Sequence, residues 1–180
     1  MNIVRQVPNI LTLARLCLVP LSVVFITALD WQAAFLVFVI AGLTDALDGW
    51  IAKQYHLETE LGAYLDPLAD KALLVSIYIA LAMSHEMPVA LTIVVVSRDI
   101  MIVSAVLISL ALDNRMPIKP LFISKVNTTA QIGLAALVLA AKAFDLQIGA
   151  WVPGVLVLVA VLTLWSAGAY LLQWFRHMVP

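Results

Sequence analysis

The chain has 180 residues, of which 64% are hydrophobic and only 12% charged, and its mean hydropathy is +1.06. A domain this small cannot hide that much apolar surface from water, which excludes a soluble globular protein and predicts a single integral membrane domain over residues 1–180. The formal charge of −1 says nothing about nucleic acid and no basic run suggests it, while the lone Cys17, set in an apolar run, excludes disulfides and cysteine metal sites.

Hydropathy divides the chain into six spans, predicting an all-α fold with six transmembrane helices. The first covers 8–28, after a polar lead with Arg5. It opens on Pro8, contains Arg15 and has no clear small-residue cleavage site, so it reads as a retained helix rather than a signal peptide. The second covers 32–53 and carries Asp45 and Asp48 near its end. A polar loop, 54–60, leads to the third span, 61–84, which carries Asp66 and Asp70 near its start. His85, Glu86 and Pro88 mark a turn, and the fourth span, 89–112, is interrupted by Arg98 and Asp99. Loop 113–120, a fifth span at 121–141, loop 142–150 and a sixth span at 151–175 complete the chain.

Arg5, Lys53, Arg115, Lys119 and Arg176 fall on one side of this topology and Lys142 alone on the other. The excess of positive charge puts both termini and the 54–60 loop in the cytoplasm. All four aspartates then lie at the cytoplasmic surface of an inner membrane, two on each of two helices. Asp45 and Asp48 are three apart and Asp66 and Asp70 four apart, so each pair shares one helical face.

Charge at membrane depth is expensive, roughly 2.5–3.5 kcal/mol per group on insertion scales, and it usually marks function. Four neighbouring acids also repel one another. Two divalent cations would remove both penalties, and oxygen-only ligation selects magnesium or manganese. Two such ions about 3.5–4 Å apart form a clamp for in-line displacement at phosphorus. His56, in the loop, reads as a solvated interfacial residue and not a ligand. Gly49 has no Cβ and would let a phosphate approach the backbone; the alternative for Gly49, Ala52 and Gly62 is close helix packing through small residues. Intramembrane acids also serve cation transporters and proton relays, a rival that the lack of an internal repeat weakens. A non-catalytic scaffold would leave the acids uncompensated.

The run Asp45, Asp48, Gly49, Ala52, Lys53, then Gly62, Asp66 and Asp70 resembles the signature of the CDP-alcohol phosphotransferase family. One position departs: Lys53 stands where the family usually has Arg, keeping the charge but losing the planar fork that grips phosphate in two places. The resemblance implies six membrane helices, a homodimer, and a site for two divalent cations at the cytoplasmic face. It implies attack of an alcohol on the β-phosphorus of a CDP-linked donor, with CMP leaving. Asp45, Asp48, Asp66 and Asp70 would hold the metals, and Asp70 would also act as general base. Gly49, Ala52, Lys53 and Thr59 would contact the donor, CDP-diacylglycerol. The run Val7, Pro8, Asn9, Ile10 and Thr12 resembles the nucleotide-proximal start of the family's first helix, with helix capping as the alternative for Asn9 and Thr12.

The acceptor is expected to meet Arg15, Arg98 and Lys125, cations suited to a lipid phosphate. A buried helix pair of Arg98 with Asp99, and a snorkelling Lys125, are the alternatives. The runs Ser97-Arg98-Asp99 and Ser124-Lys125-Val126-Asn127-Thr128 look like the CMP-forming, mitochondrial-type branch of the family, which makes cardiolipin with phosphatidylglycerol as acceptor. The branch that uses glycerol 3-phosphate is the alternative. The aromatic residues Trp151, Trp165 and Tyr170 read as interfacial anchors or core.

Overall fold

A computed structural model describes the backbone at residues 7–54, 60–111 and 122–178, and the side chains at 12–47, 49, 54, 69–104 and 122–174. The described residues form six α-helices and no strand: α1 Val7–Thr27, α2 Trp31–Gln54, α3 Glu60–Met83, α4 Val89–Ala111, α5 Phe122–Ala143 and α6 Val152–Met178. Each predicted span has its helix, with ends displaced by three residues at most.

Among the described residues, two helical stretches, Phe122–Ala143 and Val152–Trp174, are long and apolar enough by themselves to cross a membrane. Thr12–Thr27 and Trp31–Leu47 are shorter apolar stretches. Large apolar side chains point outward along the helices, among them Leu13, Val24, Leu36, Leu43, Ile93 and Leu164. Such an apolar exterior is uncharacteristic of a soluble monomer and suits contact with lipid.

The chain divides into two compact units. Met1–Met87 with Ala136–Leu146 make the first, in which α1 packs against both α2 and α3. Its core holds Ile26, Ala34, Val37, Ala41, Ala69, Ile77, Leu81 and Leu139. Small alanines on α2 and α3 permit close helix approach, the usual route to packing where lipid competes with every apolar contact.

At one end of this unit the helix termini follow a common pattern. Leu29, His85 and Asp145 take positive φ values of 59°, 61° and 51°. The next residue in each case, Asp30, Glu86 or Leu146, donates its amide to the carbonyl of Phe25, Leu81 or Ala141. These are left-handed caps that satisfy the last carbonyls of α1, α3 and α5, made here without glycine. Asp30 then starts α2, its Oδ1 accepting from the amide of Ala33 at 3.1 Å. The Oγ of Ser84 donates to the carbonyl of Ile26 at 3.3 Å, and Phe35 meets Phe144 edge to face with centroids 5.4 Å apart. Lys142, expected alone on the face away from the aspartates, is paired with Glu86 at 2.6 Å and lies 5.8 Å from the Trp31 ring. The three caps and this ion pair thus share one end.

Pro88–Ala135 with Gln147–Pro180 make the second unit, in which α4 packs against α6. Leu91, Val95, Leu134, Ala135, Val159 and Tyr170 are buried in it, beside polar and charged residues that include Arg98, Asp99, Asn127 and Gln131.

Candidate active site

Within the first unit, Arg15, Asp45 and Asp70 lie twelve, fourteen and thirteen residues from the ends of their helices on the capped side, Thr27, Trp31 and Met83. At 1.5 Å per residue that is roughly 18–21 Å along each helix, so the three fall within one helical turn of a common level. The Nη1 of Arg15 lies 2.9 Å from Oδ1 of Asp45 and also donates to Oδ1 of Asp70. One nitrogen on α1 therefore gathers a carboxylate from α2 and another from α3. The Arg15 side chain is 1% exposed, whereas those of Asp45 and Asp70 are 50% and 46% exposed. The positive charge sits inside the helix triplet and the acids rim it.

α2 runs unbroken through Asp48 and α3 through Asp66, so each of these positions shares a helical face with Asp45 or Asp70 respectively. The side chains of Asp48 and Asp66 lie outside the described residues. Among the described residues no group of three or more His, Cys, Asp or Glu forms a ready metal cluster. The two acids that are described do converge on one positive atom, and their carboxylate oxygens are the donors that hard divalent cations take. The donor set fits magnesium or manganese.

Gly49 lies on α2 one turn beyond Asp45, and among the described residues a Cβ built there would meet nothing within 4 Å. Packing against the described residues therefore does not demand a glycine at that position, and open space there is what an approaching phosphate needs. Thr12 precedes Arg15 by one turn on the same face and is buried. It lies inside α1, which begins at Val7, so N-capping does not explain it. Val7, Pro8, Asn9 and Ile10 form the first turn of α1, and Ala52 and Lys53 the last turn of α2, with side chains outside the described residues. Thr59 and His56 fall outside the described residues altogether.

The cations expected on the acceptor have different surroundings. Arg15 is engaged by the acids. Arg98, in the second unit, is bonded through Nη1 to Oδ1 of Asp99 at 2.6 Å, with both side chains 2% exposed. Its Nε and Nη2 reach Oγ of Ser166 on α6 at 3.3 and 2.7 Å, and Nη2 also donates to Ser124 on α5. The buried pair considered from the sequence is thus what forms, and it crosslinks three helices. Lys125 is exposed on the first turn of α5.

A second polar layer adjoins this pair in sequence. The single hydroxyl proton of Thr163 on α6 is shared between Oδ1 of Asn127 at 2.9 Å and the carbonyl of Val159 at 2.7 Å, and its oxygen accepts from Nε2 of Gln131 at 3.3 Å. Ser124, Asn127, Gln131, Thr163 and Ser166 were not singled out as a network from the sequence. Their signal was spacing, since Ser124, Asn127 and Gln131 recur every three or four residues on α5, and Thr163 and Ser166 on α6.

Residues 5–171 match the family described as CDP-alcohol phosphatidyltransferase, and the chain belongs to that family. It is 39% identical to the CMP-forming cardiolipin synthase of Rattus norvegicus, over 77% of this chain and 51% of that protein. The Homo sapiens cardiolipin synthase is likewise 39% identical, over 77% of this chain and 52% of its own length, so the chain spans about half of these two relatives. The CDP-diacylglycerol–glycerol-3-phosphate 3-phosphatidyltransferase of Escherichia coli K12 is 36% identical, over 92% of this chain and 93% of that protein.

Proposed function

We propose that this protein is a phosphatidyltransferase of the cardiolipin-synthase type, moving the phosphatidyl group of CDP-diacylglycerol to the terminal hydroxyl of phosphatidylglycerol with release of CMP. The supporting observation is the convergence of Asp45 and Asp70, from two helices, on one positive atom at one level of the bundle. The likeness to CMP-forming cardiolipin synthases supports the choice of acceptor.

Asp45, Asp48, Asp66 and Asp70 would hold two divalent cations, magnesium or manganese. Bound there, the cations would offset the charge that gathers on the diphosphate as CMP leaves. Asp70 accepts the proton of the attacking lipid hydroxyl, a poor nucleophile at neutral pH without a base in reach. The hydroxyl oxygen bonds to the β-phosphorus, and the bond from that phosphorus to the bridging oxygen of CMP breaks. Lys53 lies against the donor diphosphate, and Gly49, Ala52 and Thr59 with the 7–12 segment of α1 line the donor. Lys125 would contact a phosphate of the acceptor lipid, while Arg98 braces α4 against α5 and α6.

The six helices span an inner membrane with the aspartates at its cytoplasmic face, in a homodimer. The apolar exterior of the helices supports the membrane setting, and the charge distribution of the loops supports the orientation. A cation-transport reading finds no support in the family match.

The glycerol 3-phosphate reading is favoured by one observation, the near-complete length match to the bacterial 3-phosphatidyltransferase. Labelled CDP-diacylglycerol supplied with each acceptor in turn separates the two. Cardiolipin formed from phosphatidylglycerol is expected. Lipid product from glycerol 3-phosphate alone would transfer the assignment to the second branch.

A further inference from the structure

We propose that Arg15 is an internal cation that competes with the divalent ions for Asp45 and Asp70, and so limits how tightly the site holds metal. The proposal rests on the reading that these aspartates are metal ligands. Three observations carry it.

First, Arg15 engages both acids through the same nitrogen, and on each it takes Oδ1. A carboxylate oxygen committed to a charged hydrogen bond is a poorer ligand for a hard cation, which needs that same electron density. An ion that binds through those oxygens shares them with the guanidinium or pushes it aside, and one that binds through Oδ2 still meets carboxylates whose charge is partly drawn to Arg15.

Second, the charge is permanent and close. A guanidinium does not deprotonate in a protein, so Arg15 opposes an incoming divalent ion at every working pH. Its side chain is 1% exposed, so water does little to screen that opposition.

Third, the geometry is one-sided. Arg15 is buried between the helices while Asp45 and Asp70 are about half exposed, so the arginine approaches from the interior and an ion arrives from the rim. The acids are compensated when no ion is bound, and in that state Arg15 ties α1 to α2 and α3. A lysine would keep the charge but present it as a compact, strongly hydrated ammonium in place of the planar guanidinium.

A purely architectural arginine predicts the opposite response to its removal. Two facing acids without their cation would splay, and metal would bind more weakly. The test uses purified full-length protein in phosphatidylcholine nanodiscs without nucleotide, titrated with Mn²⁺ and read as free Mn²⁺ by electron paramagnetic resonance. Arg15→Met is expected to tighten Mn²⁺ binding at least tenfold, and Arg15→Lys to fall between it and the wild type. Circular dichroism establishes that each variant is helical; should Arg15→Met not fold, Arg15→Gln carries the same comparison. In the wild type, the side-chain ¹⁵N resonance of Arg15, identified by its loss in Arg15→Gln, is expected to shift on adding Mg²⁺. Unchanged or weaker Mn²⁺ binding in a folded neutral variant overturns the proposal, as does an Arg15 resonance indifferent to Mg²⁺. Absence of saturable Mn²⁺ binding in wild type and variants alike overturns the metal-site reading itself; saturable binding that ignores Arg15 overturns only the competition.

Discussion

Arg15 on α1 and Asp70 on α3 are separated by 55 residues in the chain and meet as an ion pair, with Nη1 donating to Oδ1. Asp45 joins them from α2 on the same nitrogen. The middle of the first helix is thereby fastened to the two helices that carry the aspartate signature, and the residue proposed as general base is held in place by a neighbour that keeps its charge.

Asp70→Asn should therefore separate position from chemistry. The amide oxygen can still accept from Arg15, so the fold is kept, but it cannot take a proton from the acceptor. CMP release should fall by about 10²–10⁴-fold, the usual worth of a positioned base, or further if metal is also lost. Activity within tenfold of wild type in a folded Asp70→Asn protein would contradict the assignment.

Lys53→Arg restores the residue usual in the family and with it two-point contact to phosphate. Donor KM should stay the same or fall, with kcat unchanged or raised, whereas Lys53→Ala should raise donor KM. If steady-state kinetics with CDP-diacylglycerol show the same KM for both variants, Lys53 does not touch the diphosphate.

The Arg98–Asp99 pair gives a stability prediction. Asp99→Ala leaves a buried guanidinium with only the hydroxyls of Ser124 and Ser166, and removing one partner of a buried pair typically costs about 3–5 kcal/mol. The double change Arg98→Met with Asp99→Leu removes both charges and should cost clearly less, because the two serines can turn to carbonyls of their own helices as Thr163 does. Thermal unfolding in detergent checks the order; a double variant worse than Asp99→Ala would argue that Arg98 is held for something other than bracing.

His85 caps α3 with φ of 61°, a region that disfavours residues with a Cβ by about 1–2 kcal/mol. His85→Gly should relieve part of this, raising stability by about 1 kcal/mol without changing CMP release. A fall in the unfolding temperature would show that the imidazole makes a contact worth more than the strain.

The helices were legible because their apolar runs are long and their interruptions short, so span and helix agree to within a few residues from Val7 to Met178. The convergence of α2 and α3 at the aspartates followed from the spacing and the order of the spans. Arg15 was legible as an intramembrane cation but not as the partner of Asp45 and Asp70. Nothing in the spacing of residues 15, 45 and 70 says that α1 lies against both other helices. Arg98 and Asp99 are neighbours in the chain, so their pairing was visible as an alternative, but Ser124 and Ser166 come from helices 26 and 68 residues away. The caps at Leu29 and His85 lack the glycine that normally announces them, so only the backbone reveals them.

The most direct test of phosphatidyl transfer is the stoichiometry of CMP release. Purified protein in nanodiscs, given CDP-diacylglycerol, phosphatidylglycerol and magnesium or manganese, should release one CMP for each cardiolipin formed, and chelation of the metal should stop both. No CMP with any alcohol acceptor, in the presence of either metal, would contradict the account.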